Sequence, residues 1–169
     1  MDRHPNAVTF QGNPLTLVGT DVEVGQPAPA FTVVNGSLEP VSLADYAGKT
    51  VLISVVPSLD TGVCEVQTKR FETEAADLQT PVVTISVDLP FAQGRFCAAH
   101  ATNTVEMLSD YQDRAFGTAY GVLIDELKLL TRAIFVVDPS GTLVYKEIVP
   151  EVTNHPDYDA ALAAVKNAG

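Results

Sequence analysis

The sequence predicts an α/β fold in which a mixed central sheet is flanked by helices on both faces. Two runs, "TVLISVV" at 50–56 and "PVVTISVD" at 81–88, are apolar throughout and rich in β-branched residues. This pattern is typical of strands that are covered on both sides. Segments with helical spacing follow both runs, and two later strands are joined by a tight turn. Strands that alternate with helices and end in a hairpin indicate a mixed sheet.

The elements before the first buried strand are short and rich in turn residues. "VTFQGNPLTLVG" predicts a hairpin that turns at Gly-Asn-Pro, so the fold is expected to carry an N-terminal β-hairpin extension. The proline-rich "VGQPAPAFTVV" predicts an extended entry into a strand. "SLADYAG" predicts a short helical turn that is closed by Gly48.

Helices and strands alternate after residue 60. The apolar residues of the segment after the turn have helical spacing, at Val63, Val66, Phe71, Ala75 and Leu78. "LPFAQGRFCAAH" predicts a helix with proline in its first turn, "NTVEMLSD" a strand, and "RAFGTAYG" a short helix. "RAIFVVDPSGTLVYKEIV" predicts a hairpin around Asp-Pro-Ser-Gly, and "PDYDAALAAVKNAG" a closing helix. A thioredoxin-like sheet fits this order, and many other α/β sheets fit it nearly as well.

Length and composition narrow the class of protein. The chain has 169 residues, which suits a single domain over residues 1–169 with a sizeable core. Hydrophobic residues make up 46% and charged residues 18%, so disorder is not expected. The formal net charge of −11 argues against binding to nucleic acid or to an anionic membrane. The N-terminus lacks a signal-peptide core and no apolar run approaches roughly 20 residues, so a cytoplasmic protein is expected.

The chain has only two cysteines, Cys64 and Cys97. In a reducing compartment such a pair is either two inert core residues or a transient redox couple. A four-cysteine zinc site is excluded by the count. Cys97 and His100 are three residues apart, but a metal would need further ligands from remote positions. The three histidines have no spacing typical of metal or hydrolytic chemistry, so no metal or cofactor is expected.

The turn "PSLDTGVC" at 57–64 joins the first buried strand to the helix that follows it. Reactive groups in open α/β sheets lie where strands end and helices begin. If Thr61 caps the helix, with Asp60 as the alternative cap, Cys64 is the third helical residue. The free backbone N–H groups and the helix dipole there favour an anion, and therefore the reactive thiolate. The alternative is that Cys64 is a small buried core residue.

Three other residues are candidates for the same site. Pro57 lacks an N–H and can shield one side of a pocket, or it simply ends the strand. The Thr61 hydroxyl can cap the helix, hold an oxygen substrate beside the sulfur, or both. Arg132 opens the apolar strand "AIFVVD", and it either stabilises the Cys64 thiolate or is a solvated residue at a strand end.

Two motifs resemble a known family. "PSLDTGVC" at 57–64 is similar to the peroxiredoxin active-site pattern of proline, three residues, threonine, two residues and cysteine. "SVDLPFAQGRFC" at 86–97 is similar to the segment that carries the second cysteine in the bacterial thiol peroxidases, which are atypical two-cysteine peroxiredoxins. "LLTRAIFVVD" and "PDYDAALAAV" also resemble that family, so the similarity covers nearly the whole chain.

The resemblance implies a role for each of five residues. Cys64 matches the peroxidatic cysteine, which becomes a sulfenic acid, and Cys97 matches the resolving cysteine, which then forms a Cys64–Cys97 disulfide. Pro57, Thr61 and Arg132 match the residues that shape the peroxide pocket. The family further implies a thioredoxin-like fold, an antioxidant peroxidase without a cofactor, reduction by thioredoxin, and a homodimer.

Several questions stay open at this stage. The substrate is hydrogen peroxide or an alkyl or lipid hydroperoxide, and Phe91 and Tyr46 are candidates to line a collar for the latter. Disulfide closure is expected to need unwinding at one or both helix starts, which Gly62 and Gly94 would ease.

One alternative function is a thioredoxin-like disulfide reductase or redox-sensing domain, although Thr61 stands where C-x-x-C would place a second cysteine. Another is a binding domain with two buried thiols.

Overall fold

The computed structural model describes residues 1–102 and 104–169 and contains a main sheet and a smaller one. The strands of the described residues, in chain order, are β1 Arg3–Phe10, β2 Asn13–Val18, β3 Thr32–Val34, β4 Pro40–Ser42, β5 Val51–Val55, β6 Val82–Ser86, β7 Val105–Ser109, β8 Leu123–Ile124, β9 Ala133–Val137 and β10 Leu143–Ile148. The helices are α1 Gly62–Leu78, α2 Pro90–His100, α3 Ala115–Ala119 and α4 Tyr158–Ala168, and a 3-10 turn covers Leu43–Tyr46.

The main sheet is mixed, with strand order β10-β9-β5-β6-β7-β3-β4. β5, β6 and β7 are parallel to one another, and β9 runs antiparallel to β5 with Val55 opposite Ala133. The carboxyl ends of β5 and β6 and the amino end of β9 therefore meet at one edge of the sheet. The turns after β5 and β6, and the residue that precedes β9, are brought together there.

Side chains of β5 alternate between two cores on opposite faces of the sheet. Val51, Ile53 and Val55 face a cluster that includes Phe31, Phe116 and Tyr120, beside α3. Leu52, and Val56 directly after the strand, face a second cluster to which α1, α2 and α4 contribute. All five residues of β5 are buried, as are those of β6 and β9. The prediction that the central strands are covered on both sides is therefore confirmed.

The N-terminal hairpin is present, but its turn was predicted at the wrong residues. Phe10 pairs with Asn13, so the connection is the dipeptide Gln11-Gly12. Both residues have positive φ, 50° and 81°, as two-residue hairpin turns of this hand require. Asn13 and the proline after it lie in β2. The hairpin pairs through β2 with β8, a two-residue strand that the apolar pattern did not predict.

Helix α1 forms where the spacing predicts it, but its buried face is largely polar. Val66 is 51% exposed. Among the residues of this helix whose burial the structure describes, those completely buried are Cys64, Gln67, Thr68 and Phe71. Their spacing of three, four and seven residues defines one helix face. Burying a thiol, an amide and a hydroxyl against the sheet requires polar partners there.

Candidate active site

The start of α1 places Cys64 as the sequence predicts. The Thr61 hydroxyl accepts a hydrogen bond from the Cys64 N–H at 3.4 Å and donates one to the Ser58 carbonyl at 3.3 Å. Thr61 is therefore the capping side chain, and Cys64 is the third residue of a helix that begins at Gly62. Thr61 is exposed, whereas Pro57, two residues beyond β5, is buried.

The Cys64 sulfur lies against the guanidinium group of Arg132. Cys64 is 0% exposed, and the Arg132 Nη2 donates to its Sγ at 3.4 Å. A cation at this distance, together with the first-turn amides of α1, stabilises negative charge on the sulfur. The thiol is thus held in the environment of a reactive cysteine, although its burial alone would also suit a core residue.

Arg132 is itself buried, at 2% exposure, and each of its three guanidinium nitrogens has an acceptor. Nε donates to the Val152 carbonyl at 2.8 Å, and Nη1 donates to the Gln67 Oε1 at 2.8 Å. The Gln67 Nε2 in turn donates to the Ser54 hydroxyl of β5 at 2.7 Å. These neutral acceptors fix the orientation of the guanidinium without neutralising its charge. The alternative of a solvated arginine at a strand end is excluded.

The N-terminal hairpin supports the Val152 carbonyl. Backbone hydrogen bonds run from Thr9 N–H to the Pro150 carbonyl and from Val152 N–H to the Thr9 carbonyl, each at 2.8 Å. The Glu151 carboxylate accepts from the Gly12 N–H at 2.9 Å and from the Thr9 hydroxyl at 2.9 Å. Hydrogen bonds from Thr153 are the largest cause that lowers the pKa of Glu151 to about 2. The hairpin extension thereby helps to hold an acceptor of Arg132.

Cys97 lies on α2, the helix that follows the next strand. It is half-buried and packs against the same core cluster to which Cys64 belongs. Both cysteines are free thiols. Cys97 is the eighth of the eleven residues of α2, so it lies near the end of that helix and not near its start. The expected unwinding at a helix start therefore applies to Cys64 only.

Gln67, Val152 and Asp88 are site residues that the sequence reasoning missed. Gln67 follows Cys64 by three residues on a buried helix face, and this spacing was the signal available for it. Val152 acts through its backbone, which no side-chain pattern reveals. Asp88 lies between β6 and α2, and its carboxylate accepts from the Leu59 N–H and the Ser58 hydroxyl.

Phe91 and Tyr46, the two candidates to line a collar for the substrate, lie in different parts of the fold. Phe91 is 66% exposed in the first turn of α2. Tyr46 lies near the start of β5, at the opposite end of the strand from Cys64, and its hydroxyl donates to Glu106. Tyr46 therefore does not line a collar around the sulfur. His100 packs against Phe96 with ring centroids 4.3 Å apart and an angle of 41° between the ring planes.

The part of the chain that the structure describes offers neither a cluster of metal ligands nor a membrane-spanning helix. Across residues 1–102 and 104–169, no group of three or more His, Cys, Asp or Glu side chains is arranged to hold a metal ion. Within the same residues, no helix combines the length and the apolar character that crossing a bilayer requires.

Comparison with known proteins identifies the family. The Redoxin family matches residues 23–162. A thiol peroxidase of Listeria monocytogenes is 57% identical over 162 residues, which cover 95% of this chain and 98% of that protein. A thiol peroxidase of Bacillus subtilis is 56% identical over 160 residues, which cover 94% and 96%. A solved peroxiredoxin-like protein from Aquifex aeolicus superposes with a TM-score of 0.91 at 39% identity, over 98% of this chain and 99% of that one.

The chain therefore belongs to the Redoxin family and, within it, to the thiol peroxidases. The predicted thioredoxin-like fold and the class of enzyme, a peroxidase of the peroxiredoxin type, are confirmed.

Proposed function

We propose that this thiol peroxidase reduces hydrogen peroxide and organic hydroperoxides through Cys64 and Cys97 in turn. The observation that carries the proposal is the contact between the Arg132 guanidinium and a cysteine sulfur at the start of a helix. In the first step the Cys64 thiolate attacks the terminal oxygen of the hydroperoxide. An S–O bond forms as the O–O bond breaks, Cys64 becomes a sulfenic acid, and the departing oxygen takes a proton from solvent to leave as water or an alcohol.

Arg132 and the first-turn amides supply the electrostatic stabilisation in this mechanism. Charge moves from sulfur to the departing oxygen, and donors fixed beforehand lower the free energy of the transition state more than that of the bound peroxide. The guanidinium has two acceptors that hold its orientation, so it needs little reorganisation during the reaction. Thr61 holds the peroxide from the side of the helix cap, and Pro57 shields the sulfur without offering a competing N–H.

Cys97 completes the cycle. Its thiol attacks the sulfenic sulfur, a disulfide forms and water leaves. The two free thiols lie on separate helices, and Cys64 is completely buried. We propose that the start of α1 and the end of α2 unwind locally to bring the Cα atoms within the roughly 7 Å that a disulfide requires. A dithiol reductant, for which we propose thioredoxin, then returns both cysteines to thiols and is itself oxidised to a disulfide. We propose a cytoplasmic location, because a dithiol cycle of this kind needs a compartment in which thiols are kept reduced. A homodimer is proposed from the family resemblance alone.

A crevice beside the active site suits the organic part of an alkyl hydroperoxide. It has a volume of about 360 Å³ and lies between the turn at 58–60 and α2. Leu59 and Phe96 contribute apolar surface to it, and both belong to the core cluster that contains Cys64. The lining also includes the polar or charged residues Asp60, Asp88, Arg95 and His100. Phe91, exposed in the first turn of α2, extends the apolar surface on the same helix.

The test is a peroxidase assay coupled to thioredoxin, with hydrogen peroxide and an alkyl hydroperoxide compared at equal concentration. Cys64→Ser is expected to abolish turnover. Cys97→Ser is expected to permit one reaction per molecule and then stall at the sulfenic or a more oxidised state. Equal turnover by the wild type and both variants would refute the proposal. Turnover by the wild type without an intramolecular disulfide would refute the role of Cys97.

A further inference from the structure

Asp88 links the segment that carries one active-site cysteine to the helix that carries the other. It lies in the short connection between the end of β6 and the first residue of α2, Pro90. Its Oδ2 accepts from the Leu59 N–H at 2.8 Å, and its Oδ1 accepts from the Ser58 hydroxyl at 2.9 Å. Leu59 and Ser58 belong to the turn whose Thr61 caps α1. One carboxylate therefore bridges the two parts of the chain that precede the two cysteines.

The Asp88 side of this bridge is firmly held. The Ser86 hydroxyl donates to Asp88 Oδ2 at 2.8 Å, and the Ser109 hydroxyl of β7 donates to the Asp88 carbonyl at 2.5 Å. Gln93 of α2 is 1% exposed, and its Nε2 donates to the Ser86 hydroxyl at 3.2 Å and to the Leu108 carbonyl at 2.8 Å. The bridge thus joins the turn at 58–59 to the sheet and to the body of α2.

We infer that Asp88 is a positioning residue that controls how quickly the oxidised enzyme leaves its folded active-site arrangement. The inference rests on the proposed function. Peroxide reduction needs the cap of α1 intact, because the cap places Cys64 beside Arg132. Disulfide closure needs the same turn to separate from its neighbours. The hydrogen bonds from the turn at 58–59 to the Asp88 carboxylate stabilise the arrangement with the cap intact over the arrangement that allows disulfide closure. The strength of these hydrogen bonds therefore sets the rate of closure.

The consequence is a competition at the sulfenic acid of Cys64. Attack by the Cys97 thiol produces a disulfide, whereas attack on a second peroxide molecule oxidises the sulfur further to a sulfinic acid. The first route is unimolecular and the second depends on peroxide concentration. A stronger bridge slows the first route and lowers the peroxide concentration at which half of the protein is overoxidised. A weaker bridge raises that concentration.

Asp88→Asn is the decisive variant, with Asp60→Asn as its matched control. Both remove one negative charge from the same crevice, but only the first puts an amide N–H₂ opposite the donors of Leu59 and Ser58. We expect Asp88→Asn to raise the half-overoxidation concentration of hydrogen peroxide about fivefold, the change that loss of one net hydrogen bond produces. Asp60→Asn is expected to stay within twofold of wild type. Mass spectrometry of the full-length protein after turnover with thioredoxin measures the sulfinic fraction directly.

Ser58→Ala tests the same bridge from its other side and keeps the inference falsifiable if Asp88→Asn folds poorly. It is expected to raise the half-overoxidation concentration too, and the double variant is expected to change it by less than the product of the two single effects. A half-overoxidation concentration unchanged or lower in Asp88→Asn, or in Ser58→Ala where only that variant folds, would overturn the inference. Absence of any Cys64–Cys97 disulfide in the wild type would instead overturn the proposed function.

Discussion

Replacement of Arg132 by lysine or methionine separates the effect of its positive charge from the effect of its fixed hydrogen-bond donors. Lysine keeps a positive charge, but a single ammonium group cannot reproduce a planar fork that reaches Cys64, Gln67 and Val152 together. Methionine removes the charge and all three donors. Loss of one fixed donor at a transition state costs roughly 10²–10³ in rate. We therefore expect the rate constant for oxidation of Cys64 to fall about 10- to 100-fold in Arg132→Lys and about 10²- to 10³-fold in Arg132→Met.

The structure also predicts the cost to stability. Arg132→Met leaves the Gln67 Oε1 and the Val152 carbonyl without their buried donor, at about 1–3 kcal/mol for each unpaired acceptor. Arg132→Lys is expected to lower the free energy of unfolding by less, because the ammonium group can still reach one of these two acceptors. Urea unfolding of the reduced proteins measures this loss and shows whether the variants are folded under the conditions of the rate assay.

Two rate measurements on stoichiometric reduced protein test the reasoning. Oxidation by hydrogen peroxide depends on both ionisation of Cys64 and orientation of the peroxide. Alkylation by iodoacetamide depends on ionisation and access alone. We expect both rates to fall in Arg132→Met, and peroxide oxidation to fall by the larger factor. Peroxide rates within threefold of wild type in both variants would show that the contact between Arg132 and Cys64 plays no part in catalysis.

Three further perturbations follow from individual contacts. Gly94 lies inside α2 with no atom within 4 Å of an added Cβ, so Gly94→Ala is expected to stabilise that helix by about 1 kcal/mol. If α2 unwinds for disulfide closure, quenched-flow mass spectrometry will show closure slowed about fivefold, and an unchanged rate would argue against unwinding there. Gln67→Met removes one acceptor of Arg132 and is expected to lower the peroxide rate constant about tenfold, with Thr73→Val on the exposed side of α1 as a control. Burial raises the pKa of Asp110 from 3.8 to about 6, although the N–H groups of Gly117 and Phe116 oppose this. The protonated side chain therefore contributes up to about 3 kcal/mol to the free energy of unfolding below pH 3.8, and this contribution is lost as the pH rises through 6. The free energy of unfolding of Asp110→Asn, measured with urea, is expected to lack this pH dependence.

The candidate site divides into a part that is local in the chain and a part that is not. Pro57, Thr61 and Cys64 lie within eight residues, and their relation depends on one turn and one helix start. Capping rules and the helix dipole act over that distance, so the cap and the place of Cys64 follow from the order of residues. The acceptors of Arg132 come from α1 and from the loop after β10, and the sequence pattern offers no way to pair them with it.

The same distinction between local and tertiary contacts explains two wrong predictions, the buried face of α1 and the residues of the hairpin turn. Apolar spacing predicts α1, but Val66 is exposed while Gln67 is buried, because the polar partners Ser54 and Arg132 lie beneath that face. The first hairpin is predicted by its two apolar runs. Its turn shifts to Gln11-Gly12 because a two-residue connection needs positive φ at both positions, which glycine adopts readily and proline cannot.

The sequence by itself determined the alternation of buried strands with helices, the capped turn before Cys64 and the membership of a peroxidase family through two short motifs. These properties depend on periodicity and on residues close together in the chain. Only the tertiary structure decided that β9 lies beside β5 and so brings Arg132 to the sulfur, that Gln67 and Val152 hold it there, and that Asp88 joins the segments of the two cysteines. Those contacts depend on strand order and on buried hydrogen bonds between distant residues, whose partners are chosen by the whole packed sheet.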